Sequence, residues 1–260
     1  MACQLNKLLI QNQSPILILG PCSIENRQQM TEIFDFMKRK NIDYIRGGTY
    51  KPRTSPRDFQ GLGRKGLELL HEGKKLYNFK IVSEIMDPRD IELGDEYLDI
   101  IQIGSRNMQN FSLLKEAGKA NKPILLKRGL SATIKEFICA AEYISTGGNN
   151  NIILCERGIR TFEEYTRNTL DISCVPILKK ETGYPVIVDV SHSTGIKDIM
   201  IPCMKAALAV GADGIMAEVH PNPKKALSDK KQQLNISEAE KLIDEFNKFS
   251  KLLKDNYMTY

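Results

Sequence analysis

A chain of 260 residues with 42% hydrophobic and 27% charged residues has the make-up of an ordinary soluble globule, and a length close to the ~250 residues of a typical (β/α)8 barrel. No apolar run reaches the ~18 residues of a membrane span, Met1 to Lys7 lack the basic-then-apolar order of a secretory signal, and six scattered cysteines (3, 22, 139, 155, 174, 203) without a CxxC pair read as reduced cytoplasmic thiols rather than a disulfide frame. The net charge of +5 is mild; with no basic run interleaved with aromatics it argues against nucleic-acid binding and suits anionic metabolites.

In chain order, apolar runs that read as strands lie at Pro15–Leu19, Tyr44–Arg46, Lys80–Ile85, Ile100–Ile103, Pro123–Lys127, Ile152–Cys155, Pro185–Val190 and Gly214–Val219. They are continuous rather than alternating, which suits parallel strands covered on both faces. Helix-type stretches separate them. The spacing of Ile199, Cys203, Met204, Ala207 and Leu208 predicts a helix over Ile196–Val210, with Gly211 as its C′ residue. A last helix is predicted over Ser237–Leu253, started by a Ser237/Glu240 capping box, with an apolar face that includes Leu242, Ile243 and Phe246. Eight β-then-α units in a row predict an α/β fold, a single (β/α)8 TIM barrel over residues 15–260 behind a short N-terminal lead-in, residues 1–14. A doubly wound open sheet is the alternative, and would usually use fewer strands.

Each predicted strand runs into polar or charged residues, the side on which TIM barrels carry their chemistry. The most concentrated is Arg46-Gly-Gly-Thr-Tyr-Lys-Pro-Arg-Thr-Ser-Pro-Arg57, with four cations and no acid in twelve residues. Its prolines stiffen it and its glycines allow a ligand close to the backbone. Arg46, Lys51, Arg53, Arg106, Lys127 and Arg157 together form a cation set able to hold a phosphate plus a carboxylate. Cys22, His192, Glu218 and Asp229 form a second set; thiolate, imidazole and two carboxylates suit one divalent transition metal ion such as Mn, Fe, Co or Zn. Of the other histidines, His71 reads as an inert helix residue, and His220 as either a structural residue or an orienter of a ligand.

Together these residues resemble the 3-deoxy-D-arabino-heptulosonate 7-phosphate synthases. The motifs that carry the likeness are Gly20-Pro-Cys-Ser-Ile-Glu25, Arg46-Gly-Gly-Thr-Tyr-Lys-Pro-Arg-Thr-Ser55, Phe59-Gln-Gly-Leu-Gly63, Ile101-Gln-Ile-Gly-Ser-Arg-Asn-Met-Gln-Asn110, Leu125-Leu-Lys-Arg-Gly129, Cys155-Glu-Arg-Gly158, Asp189-Val-Ser-His-Ser193, Ala217-Glu-Val-His-Pro221 and Ala226-Leu-Ser-Asp229-Lys-Lys-Gln232. Singly most are weak; their number and order make the match specific. The chain looks like the short subtype of type I, without the ferredoxin-like or chorismate mutase domain some members carry, so little direct inhibition by aromatic amino acids is expected.

The resemblance implies condensation of phosphoenolpyruvate with erythrose 4-phosphate at the head of the shikimate pathway. It implies metal binding by Cys22, His192, Glu218 and Asp229, and phosphoenolpyruvate binding by Arg46, Lys51, Arg106, Lys127 and Arg157. Lys51, Arg53, Thr54 and Ser55 are implied to hold the sugar phosphate. Lys127, Lys51, Cys22 and His192 are the catalytic candidates, with Glu84 a further proton-handling candidate and Arg57 unassigned. A homo-oligomer, tetramer rather than dimer, is expected. Three other readings stay open: the sister synthase that makes 3-deoxy-octulosonate 8-phosphate from arabinose 5-phosphate, a Schiff-base aldolase using Lys127, and a basic barrel that only binds anions.

Overall fold

The computed structural model describes residues 14–53 and 55–257; all but the last residue of the expected lead-in lies outside them. Eight parallel strands close into a barrel in chain order: β1 (Ile16–Gly20), β2 (Tyr44–Arg46), β3 (Lys80–Glu84), β4 (Ile100–Ile103), β5 (Ile124–Lys127), β6 (Ile152–Glu156), β7 (Val186–Asp189) and β8 (Gly214–Glu218). Closure is made by β1 on β8, from Ile16 opposite Gly214 to Gly20 opposite Glu218. The TIM barrel expected from the alternating pattern is therefore the fold, and the open sheet is not. The limits of β2 and β4 are as expected and the others differ by a residue at one or both ends, most tellingly at β7, where Val190 opens a helix instead of extending the strand.

Around the strands run α1 (Arg27–Arg39), α2 (Arg64–Tyr77), α3 (Ile91–Tyr97), α4 (Phe111–Ala117), α5 (Ile134–Ser145), α6 (Cys174–Thr182), α7 (Val190–Thr194), α8 (Met200–Ala209) and α9 (Ile236–Tyr257). None of these is long and apolar enough to cross a membrane. The helix expected over Ile196–Val210 begins as a 3-10 turn at Lys197–Ile199 and is α-helical only from Met200. The last helix starts earlier than expected, and its capping box is not Ser237/Glu240. Asn235 accepts from Glu238 N at 2.9 Å, and Glu238 Oε2 accepts from Asn235 N at 2.7 Å. The reciprocal pair of a capping box needs only an acceptor at the N-cap and a carboxylate three residues on, so two overlapping pairs competed in the sequence. The earlier one wins, while Glu240 pairs with Lys40 at 3.2 Å.

Strand parity decides which side chains face the barrel interior. One core cluster, which includes Leu17, Leu19, Ile81, Ile101, Leu126, Leu154, Val188 and Ile215, packs the outer faces of the strands against the helices. A second, separate cluster contains Ile18, Val82, Ile100, Leu125, Ile153, Cys155, Ile187 and Met216. These are the alternate residues, so they fill the interior. Two positions further along the same parity stand Gly20, Arg46, Glu84, Gln102, Lys127, Asp189 and Glu218. The barrel is thus apolar in its middle and floors a charged layer at its C-terminal mouth. Gly20 is the one strand position in that layer without a side chain. Its φ is +147°, and a Cβ there would lie 1.9 Å from the Arg46 carbonyl oxygen, so only glycine lets β1 and β2 approach here.

Candidate active site

The mouth holds a cavity of about 340 Å³ whose lining includes Arg46, Lys51, Arg53, Glu84, Arg106, Lys127, Arg157, His192 and Asp229. All six residues of the expected cation set are in this one lining. Arg46, Lys127 and Arg157 are buried, whereas Arg106 is exposed. Arg53 pairs with Asp58 at 3.2 Å on the rim. Ser55 does not line the cavity; its hydroxyl accepts from Arg57 N at 3.2 Å and holds a turn. Thr54 lies outside the described residues.

Beneath the cations sit the four expected ligand residues. Cys22 follows β1, Glu218 ends β8, Asp229 stands in the loop after β8, and His192 is carried by α7. Donor atoms of Cys22, Glu218 and Asp229 all lie within 4.8 Å of one another. His192 Nε2 is 3.4 Å from Glu218 Oε1 and 3.7 Å from Asp229 Oδ2. The short helix that presents His192 is started by Asp189, whose carboxylate accepts from the Ser191 and His192 amides at 3.1 and 2.9 Å. The other Asp189 oxygen is 2.7 Å from His192 Nδ1 and also takes the Lys127 ammonium. One buried carboxylate thereby orients the imidazole and anchors a cavity cation.

The donor set fits a divalent metal ion. Burial lowers the His192 pKa below its usual value, the pull of Asp189 and Glu218 notwithstanding, and with Nδ1 set against Asp189 the ring turns Nε2 toward the two carboxylates. Burial, then Glu218, pushes the Cys22 thiol up to about 12. A bound cation reverses that balance and takes the thiolate. Although burial opposes it, Glu218 and Asp229 keep their pKa values below the usual range, chiefly through His192. Asp229 holds φ at +44°, a left-handed conformation uncommon for a non-glycine residue and found at ligand clamps.

The cations are held by acids placed behind them. Burial disfavours charge on Arg46, but Glu218, at 2.6 Å, outweighs it and holds the guanidinium pKa above its usual value. Lys51 Nζ is 3.0 Å from Cys22 Sγ. Glu84 has its pKa raised by burial, and its Oε1 has no hydrogen-bond partner among the described residues.

Sequence reasoning missed the strap between β6 and α6, residues 157–173, which adds Arg160, Arg167 and Asn168 to the cavity lining. An ion triad closes it, with Arg128 and Glu156 buried and Asp171 half-buried. Arg128 Nη1 donates to Glu156 at 3.0 Å and to Asp171 at 2.8 Å. Glu156 Oε1 accepts from Gly158 N at 2.7 Å, and Gly158 O in turn accepts from Arg157 Nη1 at 3.2 Å. Both ends of the strap, Gly158 and Asp171, thus hang on the Arg128–Glu156 pair. The strap's density of arginine was the only signal available in the sequence.

His71 lies in α2, edge-on to Tyr97 with ring centroids 5.4 Å apart, away from the cavity. His220 is buried 3.5 Å from Glu25, and its Nδ1 accepts from Asn222 N at 2.9 Å. It braces the loop after β8.

A closed parallel barrel with a cation-lined mouth over a thiol, imidazole and carboxylate cluster defines the class: a (β/α)8-barrel enzyme working at the C-terminal ends of its strands. Residues 4–255 match the model of the DAHP synthetase I family, and the chain belongs to that family. It is 54% identical over 237 residues to phospho-2-dehydro-3-deoxyheptonate aldolase of Thermotoga maritima, covering 91% of this chain and 70% of that protein. The crystal structure of that aldolase superposes with a TM-score of 0.90 over 93% of this chain and 71% of the other. A truncated form of the Thermotoga synthase matches with a TM-score of 0.86 at 50% identity, covering 93% of this chain and 88% of the other. A 2-dehydro-3-deoxyphosphooctonate aldolase of Desulfosudis oleivorans is 31% identical over 258 residues, 92% of each chain.

Proposed function

We propose that the chain is a metal-dependent 3-deoxy-7-phosphoheptulonate synthase, joining phosphoenolpyruvate to D-erythrose 4-phosphate with water and releasing phosphate. The observation that carries this reading is that eight cations, the six expected ones with Arg160 and Arg167, line one cavity with four metal-capable side chains at its base. The higher identity to the heptonate enzyme than to the octonate enzyme supports erythrose 4-phosphate over arabinose 5-phosphate, as does the Lys51-Pro-Arg-Thr-Ser55 loop.

In this reading Arg46, Lys51, Arg106, Lys127 and Arg157 hold the phosphate and carboxylate of phosphoenolpyruvate, and Lys51 and Arg53, which line the cavity, hold the sugar phosphate. Cys22, His192, Glu218 and Asp229 hold the divalent ion, which when bound polarises the aldehyde carbonyl as a Lewis acid. Fixed cations offset the mutual repulsion of two anionic substrates and set the enol carbon against the aldehyde. The methylene carbon forms the new C–C bond, and the aldehyde oxygen takes a proton, for which Lys127, fixed against Asp189, is the donor. Water adds at the carbon that bears the phosphate, with Glu84 placed to accept its proton. Collapse of the tetrahedral intermediate then breaks the bond to phosphate, which takes the hydroxyl proton and whose remaining charge Arg157 stabilises. A homo-oligomer, tetramer rather than dimer, belongs to the same proposal.

The test is phosphate release from phosphoenolpyruvate with erythrose 4-phosphate and, separately, arabinose 5-phosphate, with and without EDTA. Turnover with the first sugar alone, abolished by EDTA and restored by Mn²⁺, is the expected result. Turnover with arabinose 5-phosphate alone would overturn the substrate assignment, and undiminished activity in EDTA would overturn the metal.

A further inference from the structure

We infer that Gln232 is a positioning residue that holds Glu218 and Asp229 in their ligating pose, and that Arg167 sets the direction of its amide. This deepens the metal-dependent reading and rests on it.

A glutamine amide has an accepting end and a donating end, and in water it flips freely between them. Gln232 is not in water; it is 3% exposed. The Arg167 guanidinium donates to Gln232 Oε1. Arginine has no acceptor, so the carbonyl end of the amide must face it. The NH2 end is thereby turned the other way, 2.6 Å from Glu218 Oε2 and 3.5 Å from Asp229 Oδ2. Both partners accept only, so the two N–H bonds suit the two carboxylates that flank them. The mutual repulsion of Glu218 and Asp229 is bridged without adding a further charge between them. Arg167 also lies 3.4 Å from Asp229 Oδ1, on the oxygen away from the cluster.

Arg167 is itself held to the helix that carries His192. Its amide donates to Thr194 O at 3.0 Å, and the Asn168 amide donates to Ser193 O at 2.9 Å. Asn168 Nδ2 donates to His192 O at 2.8 Å. The neighbouring Gln233 points to the remaining donor. Its Oε1 accepts from Cys22 N at 2.9 Å, and its Nε2 donates to Ser228 O at 2.9 Å. Two consecutive buried glutamines therefore contact three of the four ligand residues, Cys22 through its backbone N, while Asn168 holds the fourth, His192, through its backbone carbonyl. Such outer hydrogen bonds govern how firmly ligands are presented to a metal.

The experiment uses the full chain stripped with EDTA. Zn²⁺ affinity is measured by competition with a chromophoric chelator, and the melting temperature of the stripped protein is recorded alongside. Gln232→Leu is expected to weaken Zn²⁺ binding by about 10- to 100-fold, while the stripped variant melts close to stripped wild type. Arg167→Met is expected to weaken binding less, and Arg167→Lys to recover most of the loss, since one donor suffices to orient the amide. Wild-type affinity in both Gln232→Leu and Arg167→Met would overturn the inference. So would a loss of affinity matched by an equal loss of stripped-state stability. If Gln232→Leu does not fold, Arg167→Met decides, because Arg167 reaches solvent and its removal leaves the core intact. Failure of the wild-type chain to bind any divalent ion would overturn the metal reading itself, a separate result.

Discussion

Replacing Arg128 by methionine tests whether the strap over the cavity hangs on the Arg128–Glu156–Asp171 ion triad. The Arg128 side chain is 3% exposed and that of its partner Glu156 is fully buried, with 3.0 Å between them. Removing the cation leaves Glu156 charged in a site it cannot leave, a change that costs about 3–5 kcal/mol in comparable cases. Glu156 keeps three of its hydrogen bonds, from Gly158 N at 2.7 Å and from Asp171 N and Cys174 Sγ, each at 3.4 Å. The lower end, about 3 kcal/mol, is therefore expected, or roughly 6–12 °C in melting temperature for a chain of this size. Adding Glu156→Gln removes the stranded charge yet keeps an acceptor for Gly158, so the double variant should regain more than about 1 kcal/mol over additivity. Because Gly158 positions Arg157, the Michaelis constant for phosphoenolpyruvate should also rise in Arg128→Met, and more steeply than kcat falls. Thermal unfolding of the four proteins of the cycle, with steady-state kinetics on each, measures all of this. A single variant that melts within about 2 °C of wild type, or a strictly additive double variant, would refute the argument.

Three further outcomes follow from the same geometry. Lys127→Met should lower kcat by about 10²–10⁴-fold, the range for loss of a positioned proton donor, with the fold kept because His192 and two amides still hold Asp189; near-normal turnover with unchanged Michaelis constants would dismiss Lys127 from proton transfer. Burial raises the Asp171 pKa, but bonds from Arg128 and Ser173 outweigh it and hold the carboxyl below its usual value. Its stabilisation is thus complete above the unfolded pKa of about 3.9 and fades as pH falls through the lower folded value. Asp171→Asn should then melt below wild type at pH 7, with the gap narrowing between about pH 5 and 3, and a gap constant over that range would contradict the sign. Gly20→Ala places a Cβ 1.9 Å from the Arg46 carbonyl at φ +147°, so it should cost more than about 4 kcal/mol and yield little folded protein; a stable, active alanine variant would show that β1 and β2 can separate.

The fold was legible because buried parallel strands write themselves as short apolar runs, and eight such runs separated by helical stretches leave few architectures open. The charged layer was half legible. Arg46, Lys127 and Glu218 end their strands, so a reader who counts to the strand end finds them. Glu156 also ends its strand, but its parity turns it away from the mouth and into the triad with Arg128, and a one-residue shift that no composition shows decides between those roles. The tasks of Gln232 and Gln233 were illegible for another reason. Glutamine is ordinarily a solvated residue, and only contacts across the barrel, to Arg167, Glu218 and Cys22, give these two a task. The capping box at the start of α9 failed because two overlapping pairs satisfied the same pattern, and packing chose between them.

The cations of the mouth stand at graded depths: Arg106, Arg160 and Arg167 reach solvent, Lys51 and Arg53 are half-buried, and Arg46, Lys127 and Arg157 lie beneath. Such a gradient acts as a funnel for anions. Outer charges raise the rate of encounter, an effect that fades once ionic strength brings the screening length to about 10 Å or less. The inner charges are shielded from salt and set residence time instead. In the proposed reading capture and retention fall to different cations, and a phosphate ion released at the bottom would climb past the same charges that drew its parent in.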